Sequence, residues 1–292
     1  MKLLTIDCRE VTGRPGVLLP NGDILDLAAA PSTLSESQWI PHSIVSVLAA
    51  GSDGLERVAR LVSAADEGGA DGRAQLRRDR VLLPFEGTAL LPPIRRPGLV
   101  LVVSADGTTY LKSPNTATGN QSKIDIPWND DAPPVCSGML AAVIGRPFYR
   151  ASAAEASEAL AGFTLVLDLS IAAPGDAAPA ADWRRYYESK QFPGACPIGP
   201  AIVTADEFGA PHARTAQLLI NDVELAAGPA YEHAQALPER MATLSQRYGF
   251  RPGDLVCFEP DGGQRARECR VHAGDRVSWS VPDLMELQVE IG

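Results

Sequence analysis

The spacing of apolar positions changes character near residue 81. Before it, short apolar runs (Lys2-Leu3-Leu4-Thr5-Ile6, Gly16-Val17-Leu18-Leu19 and Ile24-Leu25-Asp26-Leu27) are separated by polar turns. The Asn21-Gly22 pair between two of them is a hairpin signal, because tight turns need residues that accept positive φ. From Ile44 to Ala65 apolar residues recur every three or four positions, which predicts two short helices. The Gly/Asp/Ala-rich run from Asp66 to Gly72 predicts a flexible join. Residues 1–75 therefore read as a small N-terminal α+β unit.

Beyond Val81 the pattern is one of many short strands punctuated by Gly and Pro: Leu99–Val103, Leu140–Ile144, Phe163–Leu167, Ala201–Val203, Gln217–Ile220, Leu255–Phe258, Arg276–Val281 and Leu287–Ile291. Three helical runs interrupt them, over Ser152–Ala161, Asp182–Ser189 and Leu237–Tyr248, the first opening with Ser152 and Glu155 at capping-box spacing. The expectation is an α+β, β-rich chain whose residues 76–292 form a barrel-like or sandwich-like β domain.

Composition narrows the function. With 292 residues and 45% apolar content the chain can bury a core unaided. The net charge of −10, with acids and bases interleaved, argues against a nucleic-acid surface, and the short basic runs Arg77-Arg78-Asp79-Arg80 and Arg95-Arg96 read as solvated surface. Five scattered cysteines without C-x-x-C spacing suggest neither a disulfide framework nor a zinc site and fit a reducing cytoplasm. No apolar segment has signal-peptide or membrane-span character. Phosphate-loop, dinucleotide, serine-elbow and zinc-histidine motifs are all missing.

Six segments, in order, resemble the fumarylacetoacetate hydrolase family. They are Pro93-Ile94-Arg95-Arg96-Pro97-Gly98; Tyr110-Leu111-Lys112-Ser113-Pro114, similar to F-x-K-P; Leu140 to Gly145, similar to E-L-A-V-V-I-G; Gly162 to Ser170, similar to G-Y-T-x-x-N-D-x-S; Lys190-Gln191-Phe192 with Pro197-Ile198-Gly199-Pro200; and Pro252-Gly253-Asp254 with Gly274-Asp275-Arg276-Val277. The resemblance implies that family's mixed β-barrel-like catalytic domain, a homodimer, and chemistry on small oxo-acids through enolate-like intermediates.

It also implies a divalent cation held by two Glu of an E-x-E and one Asp, since hard cations need carboxylate oxygens. Here the two Glu positions fall on Ser137 and Met139, and only Asp168 remains. A carboxylate with a hydroxyl and a thioether is a poor hard-cation site, so no metal or other cofactor is expected, and Met139 reads as filling an apolar space. The hydrolytic members' lid, with its water-activating His, has no room between Leu99–Val103 and Tyr110, and no histidine occurs between His42 and His212. The carboxylate-binding T-G-T-P is replaced around Phe258-Glu259-Pro260-Asp261, which sets an acid where an anionic ligand would sit.

Lys190 and Asp168 are the candidate catalytic pair. A buried ammonium either holds the carboxylate ionised or stabilises an enolate oxygen, or the two form a structural ion pair in the cation's place. Tyr110, Lys112, Ser137, Met139, Ser170 and Glu259 are the candidate substrate-binding residues. Lys112 also reads as structural, since its place in the F-x-K-P turn is shared by members of differing activity. Cys136 has no nearby His to activate it and reads as an inert buried thiol. Two functions are open: a repurposed, metal-independent enzyme acting on a small carbonyl compound, oxo-acid or biosynthetic intermediate by proton transfer, C–C bond cleavage or formation, or cyclisation; or a non-catalytic binder of a ligand or partner. A magnesium-dependent acylpyruvate hydrolase is the least favoured.

Overall fold

The computed structural model describes residues 1–8, 13–34, 39–127, 134–171, 187–231, 235–259 and 269–292. The chain opens with an antiparallel meander, β1 (Lys2–Ile6), β2 (Arg14–Leu18) and β3 (Asp23–Asp26), whose β2–β3 turn carries Gly22 at φ 82°. Four helices follow: α1 (Ala30–Thr33), α2 (Ile44–Ala49), α3 (Gly51–Glu67) and α4 (Gly69–Arg78). Ser43 and Ser46 form the capping box that starts α2, and Gly51 at φ 63° separates α2 from α3.

The join expected over Asp66–Gly72 is instead helical. Gly69, at φ 59°, only breaks the axis between α3 and α4, and Gly68 accepts a backbone bond from Gly72. The α4 helix is held in place by Leu76, buried in the core, and by Arg77, whose guanidinium grips Asp23 at 2.7 and 3.2 Å. Arg77 is therefore a tether and not simply solvated surface.

The remaining strands are β4 (Leu82–Pro84), β5 (Leu90–Leu91), β6 (Val100–Val103), β7 (Thr109–Lys112), β8 (Ala117–Thr118), β9 (Lys123–Ile124), β10 (Val135–Ile144), β11 (Leu160–Ser170), β12 (Cys196–Thr204), β13 (Thr215–Ile220), β14 (Val223–Pro229), β15 (Leu255–Phe258), β16 (Arg276–Ser280) and β17 (Leu287–Ile291). Between them lie α5 (Ala153–Glu158), α6 (Ala205–Phe208) and α7 (Leu237–Ser245). The Ser152–Glu155 capping box starts α5, but the helix yields to β11 at Leu160. Most of the helix expected over Asp182–Ser189 lies outside the described residues.

As expected, the fold is α+β and strand-rich; among the described residues the strands form two mixed sheets and no closed barrel. One sheet runs β4-β3-β2-β1-β12-β11-β10-β15-β6-β7, with β5 on β1 and β8 on β12; the other runs β14-β13-β16-β17-β9. The first sheet is continuous from the N-terminal meander into the rest of the chain through β1 pairing with β12. Its two faces are both covered. One packs against α2, α3 and α4 through Val102, Met139, Ala141, Val143, Val166 and Ile202. The other packs against the second sheet, α5 and α7 through Leu140, Ala142, Leu165, Leu167 and Leu169. Burial on both faces explains why β10, β11 and β12 read as continuous apolar runs, not as alternation. No described helix is long and apolar enough to cross a membrane.

Candidate functional site

The site grows from the longest strand pair. β10 and β11 are paired from Val135↔Ser170 to Ile144↔Leu160, which sets Ser137 opposite Asp168 and Met139 opposite Val166. Because side chains alternate, Ser137, Met139, Val166, Asp168 and Ser170 share one face. Cys136 points to the other face, into the core with Leu169, and burial pushes its thiol well above the ordinary range. That agrees with an inert thiol.

Gly138 matters to this pair. A Cβ there would lie 2.2 Å from the Trp279 ring, and the Trp279 indole N–H donates to the Met139 carbonyl at 3.0 Å. The tryptophan thus clamps β10 where it carries Ser137 and Met139. Nothing in the local pattern marked that role.

Strand β7 supplies the second wall. It lies four strands from β11 in the sheet order, about 19 Å along a flat sheet, yet its Lys112 and Tyr110 side chains reach Asp168. The sheet must therefore curl strongly over this face while staying open. Lys112 ion-pairs with Oδ1 of Asp168 and donates to the Ala195 carbonyl at 2.8 Å. Tyr110 donates its hydroxyl to Oδ2 at 2.8 Å, and the Tyr110 oxygen lies 3.4 Å from Oε1 of Glu259, which directly follows β15. Lys190, following β11, ion-pairs with Oδ2 and sits 5.5 Å from the Tyr110 ring centroid.

The carboxylate is thus met by three donors. Burial alone would push the Asp168 carboxyl up, but the Lys112 and Lys190 ammoniums more than offset it and hold the group at about 2. The lysines differ in access: the Lys112 side chain is 0% exposed and that of Lys190 6%. Both are buried, Lys112 completely and Lys190 nearly so.

The segment after Lys190 is fastened to β7. The Gln191 amide accepts from the Ser113 N–H at 2.9 Å and donates to the Leu111 carbonyl at 3.2 Å. It occupies the sheet edge as a neighbouring strand would. Ser170 and Ser189 share a 2.7 Å hydrogen bond between buried hydroxyls, a second fastening close to Lys190.

The candidate residues separate accordingly. Asp168, Lys190, Lys112, Tyr110 and Glu259 form one connected cluster, with Ser137 across from Asp168 on the same face; Ser170 bonds to Ser189, and Met139 is enclosed among apolar side chains. The sequence reading paired Asp168 with Lys190 and missed that Lys112 shares the same carboxylate. It also missed the fastening roles of Gln191 and Ser189. Pro260, Asp261 and His233 lie outside the described residues, and the His272 side chain is largely exposed.

A hard dication does not fit this donor set. Both oxygens of the one carboxylate already accept from ammonium groups, and a cation placed there would meet two positive charges. Opposite it stand a hydroxyl and a buried thioether where anionic oxygens would be needed. Among the described residues no cluster of three His, Cys, Asp or Glu side chains is arranged to hold a metal.

Comparison with known proteins places this site in context. Residues 102–291 match the family model for the fumarylacetoacetate (FAA) hydrolase C-terminal domain. The chain is 27% identical over 226 residues to the human mitochondrial oxaloacetate tautomerase FAHD2A, covering 70% of this chain and 69% of that one. It is 22% identical over 306 residues to the oxaloacetate tautomerase YisK of Bacillus subtilis, covering 95% of each. The fold superposes, with a TM-score of 0.76 and 20% identity, on the maleylpyruvate hydrolase of Sphingobium sp. SYK-6 in complex with manganese (II) ion and pyruvate, covering 100% of this chain and 98% of that one. The match spans well over half of the sequence, and the chain belongs to the fumarylacetoacetate hydrolase family.

Proposed function

We propose that this protein is a repurposed enzyme that acts without a metal on a small carbonyl compound or oxo-acid, with protein ammonium groups doing electrostatically what a cation does elsewhere. The observation that carries the reading is the double occupation of Asp168 by Lys112 and Lys190. Lys112, fully enclosed, neutralises the carboxylate and fixes it in place. Lys190, fastened through Gln191 and slightly less enclosed than Lys112, is the ammonium that meets the ligand.

A carbonyl oxygen bonded to Lys190 becomes more negative as an adjacent C–H or C–C bond gives up its electrons. A preorganised ammonium stabilises that developing charge more than the neutral ground state. Proton transfer, C–C cleavage or formation, and ring closure all pass through such an enolate. The relatives support the substrate class, since two of them are oxaloacetate tautomerases. The resemblance also brings a homodimer into the proposal, which light scattering checks.

The test combines metal analysis with turnover. Purified protein assayed on oxaloacetate and acylpyruvates, with EDTA and with added Mg²⁺ or Mn²⁺, is expected to act equally in both conditions and to lose activity in Lys190→Ala. Turnover that appears only with stoichiometric bound metal would overturn the reading. Binding without turnover, unchanged in Lys190→Ala, would favour the non-catalytic alternative.

A further inference from the structure

We infer that Glu259 is the group that takes and returns the substrate proton, and that the Tyr110 oxygen accepts the hydrogen bond of its acid form. This rests on the carbonyl-polarising role proposed for Lys190 and adds the missing half of the chemistry. Forming an enolate requires a base as well as a stabilised oxygen. Asp168 cannot supply it. Its Oδ1 accepts from Lys112, its Oδ2 accepts from both Lys190 and Tyr110, and the residue is 1% exposed. No side of that carboxylate is left to approach a carbon acid.

Glu259 is placed differently. It follows β15 directly, with its backbone N–H fixed on the Val103 carbonyl at 3.0 Å, and it is half-buried, so a ligand can reach it. Its Oε1 lies 3.4 Å from the Tyr110 oxygen, which contacts the same Asp168 oxygen as Lys190. Lys190 and Glu259 thus stand on either side of one phenol.

The phenol also explains how the proton is kept. Tyr110 has a single hydroxyl hydrogen, directed at Asp168 at 2.8 Å, so toward Glu259 its oxygen acts as an acceptor. When Glu259 removes a proton from the carbon next to the carbonyl, the C–H electron pair becomes the C=C bond and the carbonyl π pair moves to the oxygen on Lys190. The new carboxylic acid then donates to the Tyr110 oxygen. Return of the same proton to oxygen gives the enol, and return to another carbon gives an isomeric ketone; nothing else is consumed.

The test uses pyruvate and 2-oxobutyrate in D₂O, following loss of the C3 proton signals by NMR, with oxaloacetate enolisation followed by ultraviolet absorbance. The wild-type protein is expected to accelerate exchange, Glu259→Gln to lower it by about 100-fold or more, and Glu259→Asp to retain an intermediate rate. The rise of the wild-type rate with pH through the carboxylate range should flatten in Glu259→Gln, an effect that a purely structural role would not produce. Near-ultraviolet circular dichroism establishes that each variant is folded, and should Glu259→Gln misfold, the Glu259→Asp rate and pH profile decide. Exchange in Glu259→Gln within twofold of wild type, with the pH limb intact, would overturn Glu259 alone and leave the role of Lys190 standing. Absence of acceleration by the wild-type protein on all three probes would overturn the enzyme reading and this inference together.

Discussion

Two buried aspartates in this molecule bind cations in opposite ways. Asp23, in the N-terminal meander, is 4% exposed, but its partner Arg77 reaches in from α4 with more than half of its side chain in water. Asp168 is as deeply buried, and both of its cations are buried with it. The first is a staple between a helix and a hairpin whose charge is still hydrated on one side. In the second, three ionised groups have left water, at a desolvation cost that mutual attraction offsets only when every lone pair finds a donor. Fold stability alone is a weak reason to keep such a cluster, because apolar residues of the same volume often serve a core as well or better.

That contrast is broken most severely at Lys112. Replacing it with methionine leaves the enclosed Oδ1 without its cation, and the expected destabilisation is about 3–5 kcal/mol by urea unfolding. Lys190→Met should cost less, because Lys112 still neutralises the carboxylate; the expected signature is loss of carbonyl binding in a protein that still unfolds cooperatively. If the two variants were equally destabilised, the division into an enclosed anchor and a presented electrophile would be wrong.

Acid is a gentler probe. The Asp168 carboxyl is lowered from 3.8 to about 2 in the folded state, so the unfolded chain takes up the proton first as pH falls. The contribution of this group is fully present above 3.8 and is lost as pH falls towards about 2, and replacing Asp168 with asparagine should flatten that part of the stability profile. Smallest of all is Arg77→Ala, whose half-hydrated bridge to Asp23 should lower the thermal midpoint less than either lysine variant, with the remaining effect diminishing in salt. An Arg77→Ala shift as large as that of Lys112→Met would erase the distinction between the two aspartates.

How much of this was legible depended on range. Strands whose apolar runs are bounded by Gly and Pro were found, although β10, β11 and β12 extend beyond the runs that marked them. Burial on both faces lets Ser137, Asp168 and Ser170 stand inside strands without interrupting them. β14 was missed because Val223–Pro229 has weak strand character, although Asn221 and Asp222, both at positive φ, mark its hairpin turn with β13. In the other direction, the glycines of 66–72 suggested a break that the buried Leu76 and the Arg77 tether override.

The site was legible in its parts and not in its wiring. Asp168 and Lys190 stand 22 positions apart, and the motifs around them made a pair thinkable. Lys112 stands 56 positions away on a strand that is distant in the sheet order, and it arrives only because the sheet curls. Curling is a property of the whole sheet, set by the accumulated twist of its strands, and no local window records it.

The Gln191 amide has a further consequence. β7 ends its sheet, and a bare terminal strand offers its unpaired backbone to any other chain in solution. By satisfying the Ser113 N–H and the Leu111 carbonyl together, one side chain occupies that docking template and denies it to strangers. A residue that steadies the segment carrying Lys190 also serves colloidal stability, so Gln191→Ala should form thioflavin-reactive aggregates sooner than wild type on prolonged incubation.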